Sequence, residues 1–66
     1  MNIIFVKDYI DKDTFDFPLE IKKGESGILL DEFSGRIEFN DRADYPVVIE
    51  GVPAGCYVLE RTDINV

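Results

Sequence analysis

Two strand-like runs flank the pair Ser34-Gly35, and this pattern limits the possible folds more than any other feature of the chain. The run before the pair, GILLDEF, is rich in apolar residues, and the run after it, GRIEFN, alternates between apolar and polar residues. Ile37 and Phe39 share one face of the second run, as in a strand that is half buried on a core. Because serine and glycine suit a tight turn, the sequence predicts an antiparallel β-hairpin.

The rest of the chain supplies further strand candidates and no convincing helix. NIIFVKDYI and GCYVLER are rich in β-branched and aromatic residues, and YPVVIEGV has a proline where a strand starts. Five short strands with close turn signals predict an all-β fold, a small five-stranded antiparallel barrel. We expect its core to include Ile21, Ile28, Leu30, Ile37, Phe39, Val48 and Val58. No linker or repeat divides the 66 residues, which predicts a single domain over residues 1–66.

A long acidic segment, Asp11 to Glu20 (DKDTFDFPLE), separates the first two strand candidates. Its composition and length predict an irregular loop. Two arrangements are open for Phe15, Phe17 and Pro18 within it. They either fold back and cap the core or point outward and form a hydrophobic contact patch.

The stretch LEIKKGE predicts a turn with Gly24 at its centre. We expect a positive φ at Gly24, which only glycine adopts without strain. Gly27, in contrast, is expected to start a strand and to tolerate substitution better.

The order of these features resembles an SH3 domain over nearly the whole chain. FVKDY, Phe5 to Tyr9, lies where that family has Ala-Leu-Tyr-Asp-Tyr, and the acidic segment occupies the place of the family's long RT loop. LEIKKGE is similar to the family's diverging turn, and GVPAGCYVLE is similar to its Gly-x-x-Pro-x-Asn-Tyr-Val ending. The resemblance implies an SH3-like barrel. The chain departs from the family in having no tryptophan, in carrying Cys56 in place of asparagine, and in one extra residue between Pro53 and Tyr57.

The same resemblance implies a groove that binds an extended peptide. An aromatic strip would form one part of it, and carboxylates that suit a ligand arginine or lysine would flank the strip. The residues so implied are Tyr9, Pro53 and Tyr57 for the strip and Asp11, Asp13 and Asp16 for the carboxylates. As an alternative, the two tyrosines are ordinary half-buried aromatic residues with hydrated hydroxyls.

The charge of the chain bears on its partners. Fourteen acidic residues against seven basic ones give a net charge of -7, and the basic residues are scattered along the sequence. Such a chain is repelled by phosphate backbones and anionic lipids, so we expect no direct nucleic-acid binding and no membrane binding. The acidity serves solubility, or else it matches a partner with a basic surface. The apolar run at the start is too short for a signal peptide or a membrane span.

Catalytic and metal chemistry find little support in the sequence. The chain has no histidine, which excludes a Ser-His-Asp triad, a Cys-His dyad and a histidine metal site. Cys56 is the sole cysteine, which fits a cytoplasmic, reducing location, and it has no evident activating neighbour. The acidic segment begins Asp-x-Asp like a calcium-binding loop, but Asp16 stands where glycine is required. We therefore expect no enzyme activity, no catalytic residue, no metal and no cofactor.

Two classes of function follow from these observations. The first is a small acidic, non-catalytic protein-binding module or accessory protein, either a monomer or a weak homo-oligomer. Its partner would be another protein with a basic or extended binding surface. The second is an acidic nucleic-acid mimic, a phage-type decoy that inhibits a DNA- or RNA-binding enzyme. Same-face residues on a strand repeat at about 6 to 7 Å, close to the spacing of phosphates, so strands can carry such a mimic.

Overall fold

The computed structural model describes residues 1–60 and consists almost entirely of β-strands, which confirms the all-β class. The strands are Asn2–Phe5 (β1), Tyr9–Asp11 (β2), Leu19–Ile21 (β3), Ser26–Asp31 (β4), Arg36–Phe39 (β5), Val47–Ile49 (β6) and Tyr57–Leu59 (β7). A single 3₁₀ turn, Ala54–Cys56, precedes β7. No helix within residues 1–60 has the length and apolar character needed to cross a bilayer.

The strands form two antiparallel sheets. The larger sheet has the order β6-β5-β4-β1-β7, and β2 and β3 pair in a separate two-stranded sheet. The predicted closed barrel of five strands is wrong in this respect. Closure requires the two end strands to pair with each other, whereas β6 and β7, of three residues each, are paired only with β5 and β1. The extent of the domain over residues 1–66 stays a prediction.

The predicted hairpin around Ser34-Gly35 is confirmed. Strands β4 and β5 pair antiparallel, with Leu29 opposite Ile37 and a shift of register before Asp31. The carboxylate of Asp31 accepts hydrogen bonds from the Phe33 backbone N–H at 3.3 Å and from the Ser34 hydroxyl at 2.9 Å. These bonds fix the turn, because they give its polar groups partners within the turn itself.

The acidic segment is irregular only in its middle. Tyr9 lies opposite Ile21 and Asp11 opposite Leu19, so the two ends of the segment belong to the β2–β3 hairpin. The prediction of an irregular loop is confirmed for residues 12–18, called the acidic loop below, and is wrong for Asp11 and for Leu19–Glu20. The hairpin holds the two ends of the acidic loop side by side.

The core lies on one face of the larger sheet and beneath β3. Its buried members are Ile3, Phe5, Ile21, Leu29, Ile37, Phe39, Val47, Ile49, Val52 and Cys56. The predicted core positions Ile21, Ile37 and Phe39 are confirmed. Three predicted core residues are exposed instead, namely Leu30, Val48 and Val58, and Ile28 is half-buried.

These errors have one physical cause. In β4, β6 and β7, apolar residues occupy three successive positions, namely Ile28-Leu29-Leu30, Val47-Val48-Ile49 and Tyr57-Val58-Leu59. Successive side chains of a strand point to opposite faces, so such a run does not reveal which set points inward. In β5, charged residues alternate with Ile37 and Phe39 and remove the ambiguity.

Gly24 and Gly27 differ in backbone conformation and in the space around them. Gly24 has φ +96°, which confirms the turn predicted for it, and a Cβ there would meet no heavy atom within 4 Å. A Cβ on Gly27 would lie 2.8 Å from Cγ2 of Ile37 and 3.1 Å from the ring of Phe39. A side chain at Gly27 would crowd the core side chains of β5, which counts against the expected tolerance, and the comparison with Gly24 stays a prediction.

Arg42 ties the β5–β6 connection to the rest of the fold. Its guanidinium donates to the backbone carbonyl of Glu20 at 2.7 Å and to the Glu25 carboxylate at 2.5 Å. It also lies over the Phe39 ring, 5.5 Å from the centroid. Glu25 in turn accepts from the backbone N–H of Lys22 at 2.6 Å. A single side chain thus links the turn after β3 to the connection that follows β5.

Candidate functional site

Tyr9 and Tyr57 pack against the same core residue. Tyr9 begins β2 and Tyr57 begins β7, and both side chains are half-buried. Their ring centroids lie 6.5 Å and 6.2 Å, respectively, from that of Phe5. The structure therefore places on one supporting ring the two aromatic residues that the SH3 resemblance puts in a strip. Their binding role stays a prediction.

The hydroxyl of Tyr9 lies in an unfavourable place for a negative charge. Burial is the largest cause that raises the pKa of Tyr9, followed by the nearby charges of Asp11, Cys56 and Asp13. The phenol consequently stays neutral and keeps its proton available for donation at physiological pH.

The 3₁₀ turn places Pro53 at the surface. Pro53 precedes the turn with φ -64°, and its carbonyl accepts a hydrogen bond from the backbone N–H of Cys56 at 3.0 Å. The carbonyl of Cys56 accepts from the backbone N–H of Val6 at 2.9 Å. These bonds fix the turn against the end of β1, so exposed Pro53 and half-buried Tyr57 are held in a defined relation.

The three predicted carboxylates are not equivalent. Asp13 and Asp16 are exposed in the acidic loop, whereas Asp11 has an exposed fraction of only 2%. Its position in β2 points it inward and leaves the apolar Ile10 facing solvent, the reverse of the usual pattern. Oδ2 of Asp11 has no hydrogen-bond partner within residues 1–60. Of the three predicted carboxylates, therefore, Asp13 and Asp16 are exposed and Asp11 is not. The binding role of the two exposed carboxylates stays a prediction.

Phe15 and Phe17 divide between the two arrangements left open by the sequence. Their rings stack at a centroid distance of 5.6 Å with an interplanar angle of 15°. Phe15 packs against the core cluster, while Phe17 is exposed. The acidic loop therefore carries an exposed apolar ring, Phe17, which stacks on Phe15, and Phe15 in turn packs on the core.

Phe33 is an exposed aromatic residue that the sequence does not single out. It lies in the turn between β4 and β5 with an exposed fraction of 96%. The next residue, Ser34, accepts from the backbone N–H of Gly51 at 2.8 Å, which holds the turn beside the chain that leads to Pro53. One signal in the sequence could have identified Phe33. A large hydrophobic side chain is uncommon next to a tight turn, and Phe33 directly precedes Ser34-Gly35.

A cleft also runs between the acidic loop and the outer face of the larger sheet. It has a volume of about 540 Å³ and is lined by Asp13, Thr14, Leu30, Arg36, Val48 and Glu50. Arg36 Nε donates to Glu50 at 2.9 Å, so these two charges balance each other. Asp13 has no ion-pair partner within the described residues. This cleft, called the loop cleft, has an apolar floor and one unbalanced negative charge.

A smaller cleft gathers acidic residues elsewhere on the surface. It has a volume of about 200 Å³, and Glu38, Asp41 and Glu60 line it together with polar residues that include Asn2 and Asn40. Within residues 1–60, no group of three or more histidine, cysteine or acidic side chains has the arrangement that holds a metal ion. This acidic cleft is thus a surface of like charges without a metal-binding geometry.

Comparison of the chain with protein-family models, with curated proteins and with solved structures finds no match.

Proposed function

We propose that this chain is a small acidic, non-catalytic protein-binding module or accessory protein. Its partner presents an extended segment with at least one basic residue. The observation that carries the proposal is the packing of Tyr9 and Tyr57 on the single ring of Phe5, with exposed Asp13 in the acidic loop that follows β2. An aromatic strip with a carboxylate beside it suits an extended basic peptide.

An SH3-like arrangement is part of this proposal. Three positions support it. The acidic loop lies between the two strands of a separate hairpin, Gly24 forms the turn that follows, and the segment from Pro53 passes through a 3₁₀ turn into a last strand beside β1. The lack of a tryptophan leaves the strip without one large ring, and in this proposal the exposed ring of Phe33 takes over that contact.

The expected division of labour follows from burial. Tyr57 and Tyr9 anchor the partner because half-buried aromatic side chains contribute large contact areas with little loss of side-chain entropy. Asp13 and Asp16 are exposed, so they steer a basic partner toward the site and add little to the strength of the complex. Phe33 adds apolar area that is entirely free before binding.

The proposal of a non-catalytic role rests on the side chains available. The chain has no histidine, and its sole cysteine is buried in the core, away from any substrate. A lone cysteine also suits the reducing conditions of the cytoplasm, which is where we expect the protein to act. The strip and the loop cleft are shallow surfaces that suit a peptide better than an enclosed substrate.

Selection of binders from a random peptide library tests the proposal directly. We expect selected sequences to be extended and to contain arginine or lysine. Phe33→Ala should weaken binding of a selected peptide by about tenfold without lowering the melting temperature, because exposed aromatic anchors contribute about 1 to 2 kcal/mol. Tyr45→Ala, which removes an exposed ring from the β5–β6 connection, is the matched control and should leave affinity unchanged.

Replacement of Asp13 and Asp16 together by asparagine should slow association and reduce its dependence on salt, with a smaller effect on dissociation. Failure to select any peptide, or affinity that is indifferent to Phe33 and Tyr57 alike, would count against the module.

The acidic cleft favours a second candidate, the nucleic-acid mimic. Glu38, Asp41 and Glu60 line one surface, as a decoy for a basic cleft requires. Under this alternative, a partner captured on the immobilised chain is eluted by duplex DNA, and the combined variant E38Q, D41N, E60Q no longer captures it. Under the module proposal, duplex DNA elutes nothing and Tyr57→Ala abolishes capture.

A further inference from the structure

Among residues 1–60, strand β7 leaves one of its two sides unpaired. Tyr57–Leu59 lies at the end of the larger sheet, and within that part of the chain it pairs with β1 alone, with Val58 opposite Ile4. The backbone N–H of Glu60 donates to the carbonyl of Asn2 at 2.8 Å, and the N–H of Val6 donates to the carbonyl of Cys56 at 2.9 Å. Backbone groups that point toward β1 therefore belong to Cys56, Val58 and Glu60, because such groups alternate along an antiparallel strand.

It follows that the backbone N–H and C=O groups of Tyr57 and Leu59 point away from β1. Within residues 1–60, none of these four groups has a backbone partner. A row of unpaired donors and acceptors on an end strand is a template for another strand.

The side chains of β7 do not protect this edge. The strand carries no charged residue, and its exposed side chains Val58 and Leu59 have exposed fractions of 49% and 53%. Val58 shares the outer face of the sheet with Ile4, its partner across the ladder. Val58 and Ile4 thus form an apolar surface on the outer face, beside the open backbone groups.

The opposite edge, β6, is protected in two ways. Pro46 precedes the strand, and Glu50 follows it in an ion pair with Arg36. Proline and charge are the devices with which natural sheets discourage pairing at an edge. Both edge strands are themselves uncharged and each is followed by a glutamate, so the two edges differ in the proline that precedes β6 and in the pairing of Glu50 with Arg36.

We propose that β7 is a self-association surface at which two copies of this chain pair antiparallel across a two-fold axis through Val58. In this register Tyr57 of each copy lies opposite Leu59 of the other. Their outward groups then exchange hydrogen bonds, so all four groups of each copy find partners. Val58 meets its symmetry mate on the outer face, with Ile4 of each copy beside it.

Two observations favour a second copy as the occupant. The outward backbone groups belong to Tyr57 and Leu59, which lie on either side of Val58. Two copies of β7 can therefore pair antiparallel in register about Val58, as a two-fold interface requires. In addition, each copy carries a charge of -7, and β7 itself has no charged side chain, which keeps repulsion low along a paired β7. Three residues per copy form a small interface, and the pairing is accordingly weak and reversible.

The pairing is tested by sedimentation of the whole chain, with a reductant present, from about 10 μM to about 1 mM, the range in which a weak dimer forms. The mean mass should rise toward twice that of the monomer, and added salt should strengthen the association by screening repulsion. Val58→Asp should abolish the rise. Val48→Asp places the same charge at the middle of the other edge strand and should leave it unchanged.

Amide exchange of the wild-type chain provides a test that needs no variant. When half of the chains are paired, exchange at the Tyr57 and Leu59 amides should slow by about twofold relative to the dilute sample. The Val58 amide, already bonded to β1, and the amides of β6 should show no change with concentration. A mass that stays monomeric throughout, equal loss with both valine variants, or concentration-dependent protection in β6 would overturn the proposal.

Discussion

Gly35 and Val52 touch through their backbones. A Cβ built on Gly35 would lie 2.5 Å from both the nitrogen and the carbonyl oxygen of Val52. Gly35 has φ +65°, and its carbonyl accepts from the N–H of Val52 at 3.3 Å. The β4–β5 turn is thereby packed against the chain that leads to Pro53, and no residue with a side chain fits there without movement of the backbone.

Gly35→Ala should accordingly lower the free energy of unfolding by about 3 kcal/mol, the sum of a left-handed backbone and a steric overlap. Gly24→Ala shares the positive φ but not the overlap, so its cost should be about 1 kcal/mol. Urea unfolding followed by circular dichroism measures both. Gly55→Ala is the control, since a Cβ there meets nothing within 4 Å and φ is not positive. Equal costs for Gly35 and Gly24 would show that the contact with Val52 relaxes freely.

Arg42 and Arg36 make an informative pair. Arg42→Met removes an ion pair, a bond to a backbone carbonyl and a contact with the Phe39 ring, and should cost about 1 to 2 kcal/mol. Arg36→Met removes an ion pair whose partners are both about half exposed, so the loss should be at most about 0.5 kcal/mol. Thermal unfolding of both variants decides the order. A larger loss at Arg36 would contradict the role given to Arg42.

Titration of Tyr9 should weaken the fold at alkaline pH. Its pKa is raised above the ordinary value of 10.0, chiefly by burial and then by Asp11. The folded chain therefore holds this proton more tightly than the unfolded chain does. That stability is complete below pH 10 and is lost as the pH rises through the pKa of the folded state. Tyr9→Phe should remove this part of the alkaline loss.

Absorbance at the phenolate band provides the measurement. One of the three tyrosines should ionise later than a model peptide does, and that delayed ionisation should be missing in Tyr9→Phe. Delayed ionisation that persists in Tyr9→Phe would assign the shift to a different tyrosine.

Protonation of Asp31 should weaken the fold at acidic pH. Hydrogen bonds from the Ser34 hydroxyl and the Phe33 N–H lower its pKa from the ordinary value of 3.8. Its contribution to stability is therefore complete above that value and is lost as the pH falls through the lower pKa of the folded state.

Asp31→Asn should be less stable than the wild type at neutral pH, with the difference closing as the pH falls below the pKa of the folded state. The neighbouring Glu32→Gln, at a side chain without a hydrogen bond within residues 1–60, should show no such difference. A gap between Asp31→Asn and the wild type that stays constant with pH would mean that the carboxylate charge is not involved.

Much of the fold is predictable where charge and apolarity alternate. Strand β5 shows its inward face because each apolar residue has charged neighbours, and Gly24 marks its turn because few other residues accept its backbone conformation. Strand β4 does not show its inward face, because its apolar run fits either orientation. In the structure Gly27 and Leu29 are the buried residues of β4, and the missing side chain of Gly27 leaves space that Ile37 and Phe39 occupy.

The candidate site is predictable only in outline. The SH3 resemblance predicts that Tyr9 and Tyr57, which are distant in the sequence, belong to one surface. In the structure both rings pack on Phe5. The burial of Asp11 was not predictable, because a carboxylate next to other acids normally indicates a solvated surface. The loop cleft is lined by Leu30 of β4 and Val48 of β6. Because the apolar runs of these strands do not show which face is exposed, the sequence could not predict the cleft.

Cys56 gives this chain a built-in kinetic probe. It is the sole thiol, it is buried, and its backbone bonds to Val6 and Pro53 hold the 3₁₀ turn in place. A thiol reagent can reach it only while that region is open, so the alkylation rate divided by that of a free thiol gives the open fraction at equilibrium. A tightly bound partner on Tyr57 and Pro53 would slow the labelling, which makes one unmodified side chain a gauge of both local opening and occupancy of the site.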